Sequence, residues 1–122
     1  MNIKSAKQFK SGINMERIKN DLNDRLFEFA VRVIEFLKSI PYSPENKVIR
    51  TQLAKSSTSS GANYEESQGG SSRLEFTNKV RISTREMRES NYWLRITKRT
   101  IREIDISEID FLIRESFELK SI

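Results

Sequence analysis

Arg81, Arg85, Arg88, Arg95, Arg99 and Arg102 follow one another at intervals of three, four or seven residues. On a helix of 3.6 residues per turn, that spacing sets them near one line, with Tyr92 inside it. A guanidinium group presents a planar fork of donors that suits phosphate oxygens, and a phenol ring offers a stacking face to an unpaired base. The strip is therefore a candidate contact for nucleic acid, with RNA favoured. A plainer reading is open as well. Arginine is a good helix former, and any bundle helix needs a wet face. On that reading some of these arginines pair with Glu28, Glu35 or the acidic C-terminal segment.

A second set of chemistry-bearing residues precedes the strip. Gln52, Ser56, Ser59, Ser60, Asn63 and Glu66 are polar where a simple bundle would place leucines. Glu65 lies beside them, and Glu86 and Glu89 can face them from the following element. Carboxylate bundles hold metal through Glu-x-x-His repeats, but the chain has no histidine and no cysteine. Only a carboxylate magnesium site would be left as a metal option. The same lack removes the commonest general base near neutral pH and every thiolate nucleophile. Ser57 or Ser59 with Lys55 is a chemically possible but weakly indicated nucleophile and base. The segment SQGGSS lacks the lysine and spacing of a phosphate loop. Gln52, Ser56, Asn63, Glu65, Glu86 and Glu89 are thus expected to form a structural polar network, with Arg85 or Arg50 neutralising the carboxylates. No enzyme activity, cofactor or metal is expected.

The elements that must carry these residues fit a single small domain. The chain has 122 residues, 36% hydrophobic and 32% charged, with a formal charge of +5. The charge is uneven. Between 70 and 104, nine basic side chains stand against four acidic ones, whereas 105–122 carry two against five. A local basic excess favours acidic partners such as nucleic acid. No apolar stretch is long enough to span a bilayer, and the basic start MNIKSAKQFKSG has no apolar signal core. The expectation is a soluble, cytoplasmic protein that does not enter a membrane.

Residues 1–20 are basic and their apolar residues form no stripe. They read as a loosely ordered arm, leaving 21–122 as the domain. Leu26, Phe29, Ala30, Val33, Phe36, Leu37 and Ile40 recur at helical intervals, predicting a first helix from about Asp21 or Asp24 to Ile40. Pro41 ends it. Ser43 and Pro44 give a cap and a first helical position for a second helix. That helix is expected to continue through the serine cluster, because Ile49, Leu53, Ser56, Ser60 and Asn63 stay in register; a break near Ser57 is the alternative. Gly69 and Gly70 end it. Ser72 with Glu75 makes a capping-box pattern for a third helix running to about Arg99. Phe76, Val80, Ser83, Met87, Ser90 and Leu94 form its inward stripe. Ile82, Glu86, Glu89 and Trp93 form a second stripe, with Ile82 and Trp93 as candidate subunit contacts. Ser107 with Asp110 looks like the start of a fourth helix, whose inward face is Ile109, Leu112, Ile113 and Ser116 or Phe117. Short turns between four helices predict an all-α, antiparallel up-and-down four-helix bundle.

Three stretches carry a family likeness: DRLFEFAVRVIEFLKSIP at 24–41, RTQLAKSSTSSGANYEES at 50–67 and SRLEFTNKVRISTREMRESNYWLRI at 72–96. In these pieces and their order the chain resembles the four-helix-bundle proteins encoded by intervening sequences in bacterial 23S ribosomal RNA genes, once labelled S23 ribosomal proteins. The residues that match are Gln52, Ser56, Asn63, Glu65, Glu86, Glu89, Tyr92 and Trp93. The resemblance implies a homo-oligomer, specifically a homopentamer, with no catalytic activity. A related branch, the accessory proteins of diversity-generating retroelements, forms a basic pentameric barrel that binds nucleic acid and a reverse transcriptase. The second stretch is richer in serine than the family pattern, and the N-terminal arm is longer. The leading expectation is an oligomeric bundle that binds RNA through the arginine strip. The alternative is an interaction module that docks an acidic or polymerase-like protein.

Overall fold

The computed structural model describes residues 15–70 and 72–122, with side chains from Asp21 onward. The four helices are α1 (Met15–Leu37), α2 (Pro44–Ser67), α3 (Arg73–Thr100) and α4 (Ile106–Leu119). Among the described residues there is no strand. Each helix packs on its chain neighbour and α4 returns to α1, closing the bundle. Cross-helix contacts fix the directions as antiparallel. Leu26 lies against Gly61 while Ile40 meets Arg50, Ser56 bonds Ser90 while Ser60 bonds Ser83, and Arg25 reaches Glu115 while Arg32 reaches Glu108.

The helix starts follow from local chemistry. Ser43 accepts from the Asn46 amide at 3.0 Å, and Pro44 opens α2 without needing a donor. Ser72 accepts from the Glu75 amide at 3.2 Å. The cap of α4 is Asp105, which accepts from the Glu108 amide at 3.1 Å, rather than the expected Ser107. Gly70, at φ +80°, supplies the left-handed turn after α2. At the other end of α1, the turn through Ile40 is stabilised from α2, where Arg50 Nη1 donates to the Ile40 carbonyl at 3.2 Å.

α1 begins at Met15, six residues before the earlier of the two expected starts. Met, Glu, Arg and Lys at 15–19 are good helix formers, so the helix extends beyond its apolar stripe. Of the expected arm, residues 1–14 lie outside the described residues. α2 runs unbroken through the serine cluster.

The core is one layer of side chains from all four helices. Leu26, Val33, Leu53, Met87, Leu94, Ile109, Leu112 and Leu119 are fully buried. On the inward face of α4, Ser116 is buried, whereas Phe117 points outward and is 60% exposed. The seam between α2 and α3 is made of serines. Ser56 and Ser90 share a hydroxyl hydrogen bond of 2.8 Å. One turn on, Ser60 and Ser83 bond each other's backbone carbonyls. Small residues let the two helices approach closely, and the hydrogen bonds remove the cost of burying the hydroxyls.

Candidate functional site

α3 holds the arginine strip on the side away from the core. Val80, Met87, Leu94 and Thr97 turn inward, so Arg81, Arg85, Arg88, Arg95 and Arg99 all stand exposed. Tyr92 is 51% exposed within the strip. The Arg95 guanidinium carbon lies 5.9 Å from the Tyr92 ring centroid, and Trp93 meets Tyr92 edge-on at 5.6 Å. Lys98 and Arg99 occupy the last turn, where cations complement the helix dipole. Arg102 does not continue the line. Ile101 adopts an extended backbone at φ −113° and ψ 121° and is drawn into the core, so the helix stops before Arg102.

The carboxylates of α4 are engaged by cations outside the strip. Arg25 forms a two-point contact with Glu115, at 2.7 and 3.2 Å, and reaches Glu118 at 3.1 Å. Arg32 forms a second fork on Glu108, at 2.6 and 3.0 Å, and lies 3.6 Å over the Phe111 ring. Hydrogen bonding to Glu115 and to Glu108 raises the Arg25 and Arg32 guanidinium pKa values, against the opposing effect of burial. Lys98 takes Asp110 at 2.6 Å, and Lys38 takes Glu35 within α1. Among the described residues, Arg81, Arg85, Arg88 and Arg99 have no ion pair. The expected pairing of the strip with Glu28, Glu35 or the acidic helix is therefore not what forms among the described residues. α1 neutralises most of α4, and the strip keeps its charge toward solvent.

One flank of the strip opens into a groove between α3 and α4, with a volume of about 860 Å³. Arg88, Asn91 and Arg95 line it from α3, and Ile113, Arg114 and Phe117 from α4, with Lys120 at its end. Asn91 is buried and organises this wall. Its amide nitrogen donates to Ser116 Oγ at 3.0 Å and to the Ile113 carbonyl at 3.3 Å, and its oxygen accepts from Arg95 Nε at 2.9 Å. Arg114, Phe117 and Lys120 are not part of the sequence-derived strip. Positions 114, 117 and 120 are three apart at the end of α4, with Lys120 as its C-cap, so they share one side.

The expected polar network divides. Ser56 belongs to the buried seam, where its partner is Ser90. Asn63 turns back on its own helix and donates to the Ser59 carbonyl and hydroxyl, at 2.8 and 3.0 Å. Gln52, Glu86 and Glu89 are half-buried on the α2–α3 flank, and Glu65 is exposed. No hydrogen bond joins these four to Asn63 or to each other among the described residues. Arg50 and Arg85, the expected neutralisers, instead hold the Ile40 carbonyl and face solvent. The inward stripe of α3 marks Ser83 and Ser90 as buried without showing that they bond across the seam. Ile82 and Trp93 are half-buried on the same flank, and Trp93 packs on the edge of the core. Thus the second stripe faces the α2 side of α3, and the groove faces the α4 side.

Among the described residues, no three His, Cys, Asp or Glu side chains converge to hold a metal ion. No described helix is long and apolar enough to cross a membrane.

The 23S rRNA-intervening sequence protein family matches residues 19–122. A crystal structure of a protein of unknown function from Bacteroides thetaiotaomicron, assigned to the S23 ribosomal protein family, is 32% identical in sequence. It superposes with a TM-score of 0.73 over 82% of this chain and 92% of that one. No curated protein matches the chain.

Proposed function

Since the chain belongs to the 23S rRNA-intervening sequence protein family, we propose that it is a non-enzymatic, self-associating bundle that binds nucleic acid, with RNA favoured, through the exposed face of α3. The observation that carries this reading is the unpaired state of Arg81, Arg85, Arg88 and Arg99 among the described residues. A wet helix face normally mixes both signs. Here the acidic helix is neutralised from α1, and the α3 face keeps an uncompensated row of guanidinium groups. Such a row contacts phosphates without reading sequence, and Tyr92 adds a stacking surface.

Self-association is part of the same proposal. Ile82 and Trp93 lie on the flank away from the groove, so subunits meeting there would leave the strip open. In a homopentameric ring, as the family resemblance implies, the fields of several strips would add. The proposed setting is the cytoplasm. Docking of an acidic or polymerase-like protein is the second reading, and the same uncompensated charge favours it.

The test is a fluorescence-anisotropy titration against a structured RNA, a single-stranded RNA and a duplex DNA at about 50 and 200 mM salt. Salt-sensitive binding that prefers RNA supports the proposal. No binding to any of the three at the lower salt overturns it and favours the protein-partner reading.

A further inference from the structure

The groove between α3 and α4 holds groups that a purely electrostatic strip does not need. Its apolar lining is Ile113 and an exposed aromatic ring, Phe117. Its rim is cationic, with Arg88 and Arg95 on one wall and Arg114 and Lys120 on the other. The one carboxylate in its lining, Glu118, is engaged by Arg25 at 3.1 Å. Its volume falls within the range of small-ligand clefts, about 300–1,000 Å³. The Arg95 side chain is held in place on this wall. Its Nε is fixed by the buried Asn91, and neither Nη has a protein partner among the described residues. Phe117 is 60% exposed, and Lys120 covers part of the ring from 4.4 Å.

We propose that this groove is a subsite for one unpaired nucleotide of a single-stranded nucleic acid. The base lies on Phe117 and Ile113, and Arg88, Arg95 and Arg114 hold the adjoining phosphates. The inference rests on the nucleic-acid reading above and deepens it, because a duplex has no unpaired base to offer the exposed ring. A free mononucleotide is a poorer match. The groove has no glycine-rich loop and no helix start to cradle a terminal phosphate. The row of cations continues past it through Arg81, Arg85 and Arg99, where flanking phosphates of a strand would lie.

The experiment measures the affinity of the full chain for oligouridylate and for an RNA duplex of equal charge, in wild type, Phe117→Ala, Phe117→Tyr and Arg114→Gln. Adenosine monophosphate serves as a competitor. Loss of one stacked base corresponds to a roughly 5- to 150-fold loss of affinity. Phe117→Ala should lower the ratio of single-strand to duplex affinity by a factor in that range. Phe117→Tyr should restore the ratio, and Arg114→Gln should weaken single-strand binding. Because Phe117 is largely exposed, equal unfolding midpoints will show that the variants are folded. An unchanged ratio in Phe117→Ala, with wild type binding both RNAs, overturns the groove inference and leaves the strip standing. Full competition by the mononucleotide at equal concentration also overturns it. If wild type binds neither RNA, the nucleic-acid reading fails and the groove inference fails with it.

Discussion

Ser60 and Ser83 each donate a hydroxyl hydrogen bond to the other's backbone carbonyl, at 2.8 Å and 2.6 Å. This reciprocal pair requires the backbones of α2 and α3 to lie close together, which only small side chains permit. It also fixes the rotation of α3 about its axis. With Ser83 and Ser90 turned to α2, the arginine line must face outward. The buried serines and the exposed strip are thus two sides of one register.

The size requirement at this seam can be separated from its hydrogen bonds. Ser60→Ala removes one hydroxyl but leaves Ser83 donating to the Ser60 carbonyl. It should cost about 0.5–1.5 kcal/mol. Ser60→Leu forces extra volume between the helices and should cost more, by a further ~1–3 kcal/mol. Urea denaturation of the two variants measures both. Equal losses would show that close packing at the seam is not what Ser60 provides.

Gly61 sits in the interior of α2 beside Leu26. A Cβ added there meets the Leu26 Cβ at 3.5 Å, an ordinary van der Waals contact. Helical glycine is roughly 0.5–1 kcal/mol less favourable than alanine. Gly61→Ala should therefore raise stability by about that amount, read as a higher denaturation midpoint with an unchanged slope. A loss would mean that α1 and α2 cannot accept even this contact.

Tyr64 is buried, and desolvation raises its phenol pKa above the ordinary value of 10.0. Above that pH the unfolded chain releases a proton that the folded chain retains, so stability falls as pH rises. The contribution is fully present below pH 10 and is lost as pH climbs through the raised folded value. Tyr64→Phe removes this dependence. The stability of wild type relative to Tyr64→Phe should hold steady below pH 10 and decline above it. Parallel curves to pH 11 would contradict the assignment.

The Arg25–Glu115 fork is partly open to water, with side chains 35% and 18% exposed. Its coupling in a double-mutant cycle should be no more than ~1 kcal/mol, and it should shrink with added salt. Its larger role is in the charge map, because it keeps α4 from neutralising the α3 strip.

The sequence made much of this architecture legible. The Ser43 and Ser72 caps mark helix starts by themselves. The inward stripe from Phe76 to Leu94 sets the face of α3, and hence the direction of its arginines. The early start of α1 is less visible because helix formers at 15–19 carry no apolar stripe. Asp21 and Asp24, which resemble start signals, lie inside the helix. At α4, two overlapping start patterns compete. Asp105 caps, while the Glu108 carboxylate that would complete a capping box turns to Arg32. The groove was least legible. It joins Arg88 and Arg95 to Arg114 and Phe117 across two helices, and no spacing within one helix reports that meeting.

On the proposed function, the exposed α3 arginines contact nucleic-acid phosphates. The most direct test is the slope of log K against log salt for oligouridylate binding, in wild type and in a variant with Arg81, Arg85, Arg88 and Arg99 all changed to Gln. Each phosphate contact to a single strand contributes about −0.7 to that slope. Wild type should show a steep slope, made shallower in the variant by up to ~2.8 with a matching loss of affinity at low salt. An unchanged slope and affinity in the folded variant would contradict it.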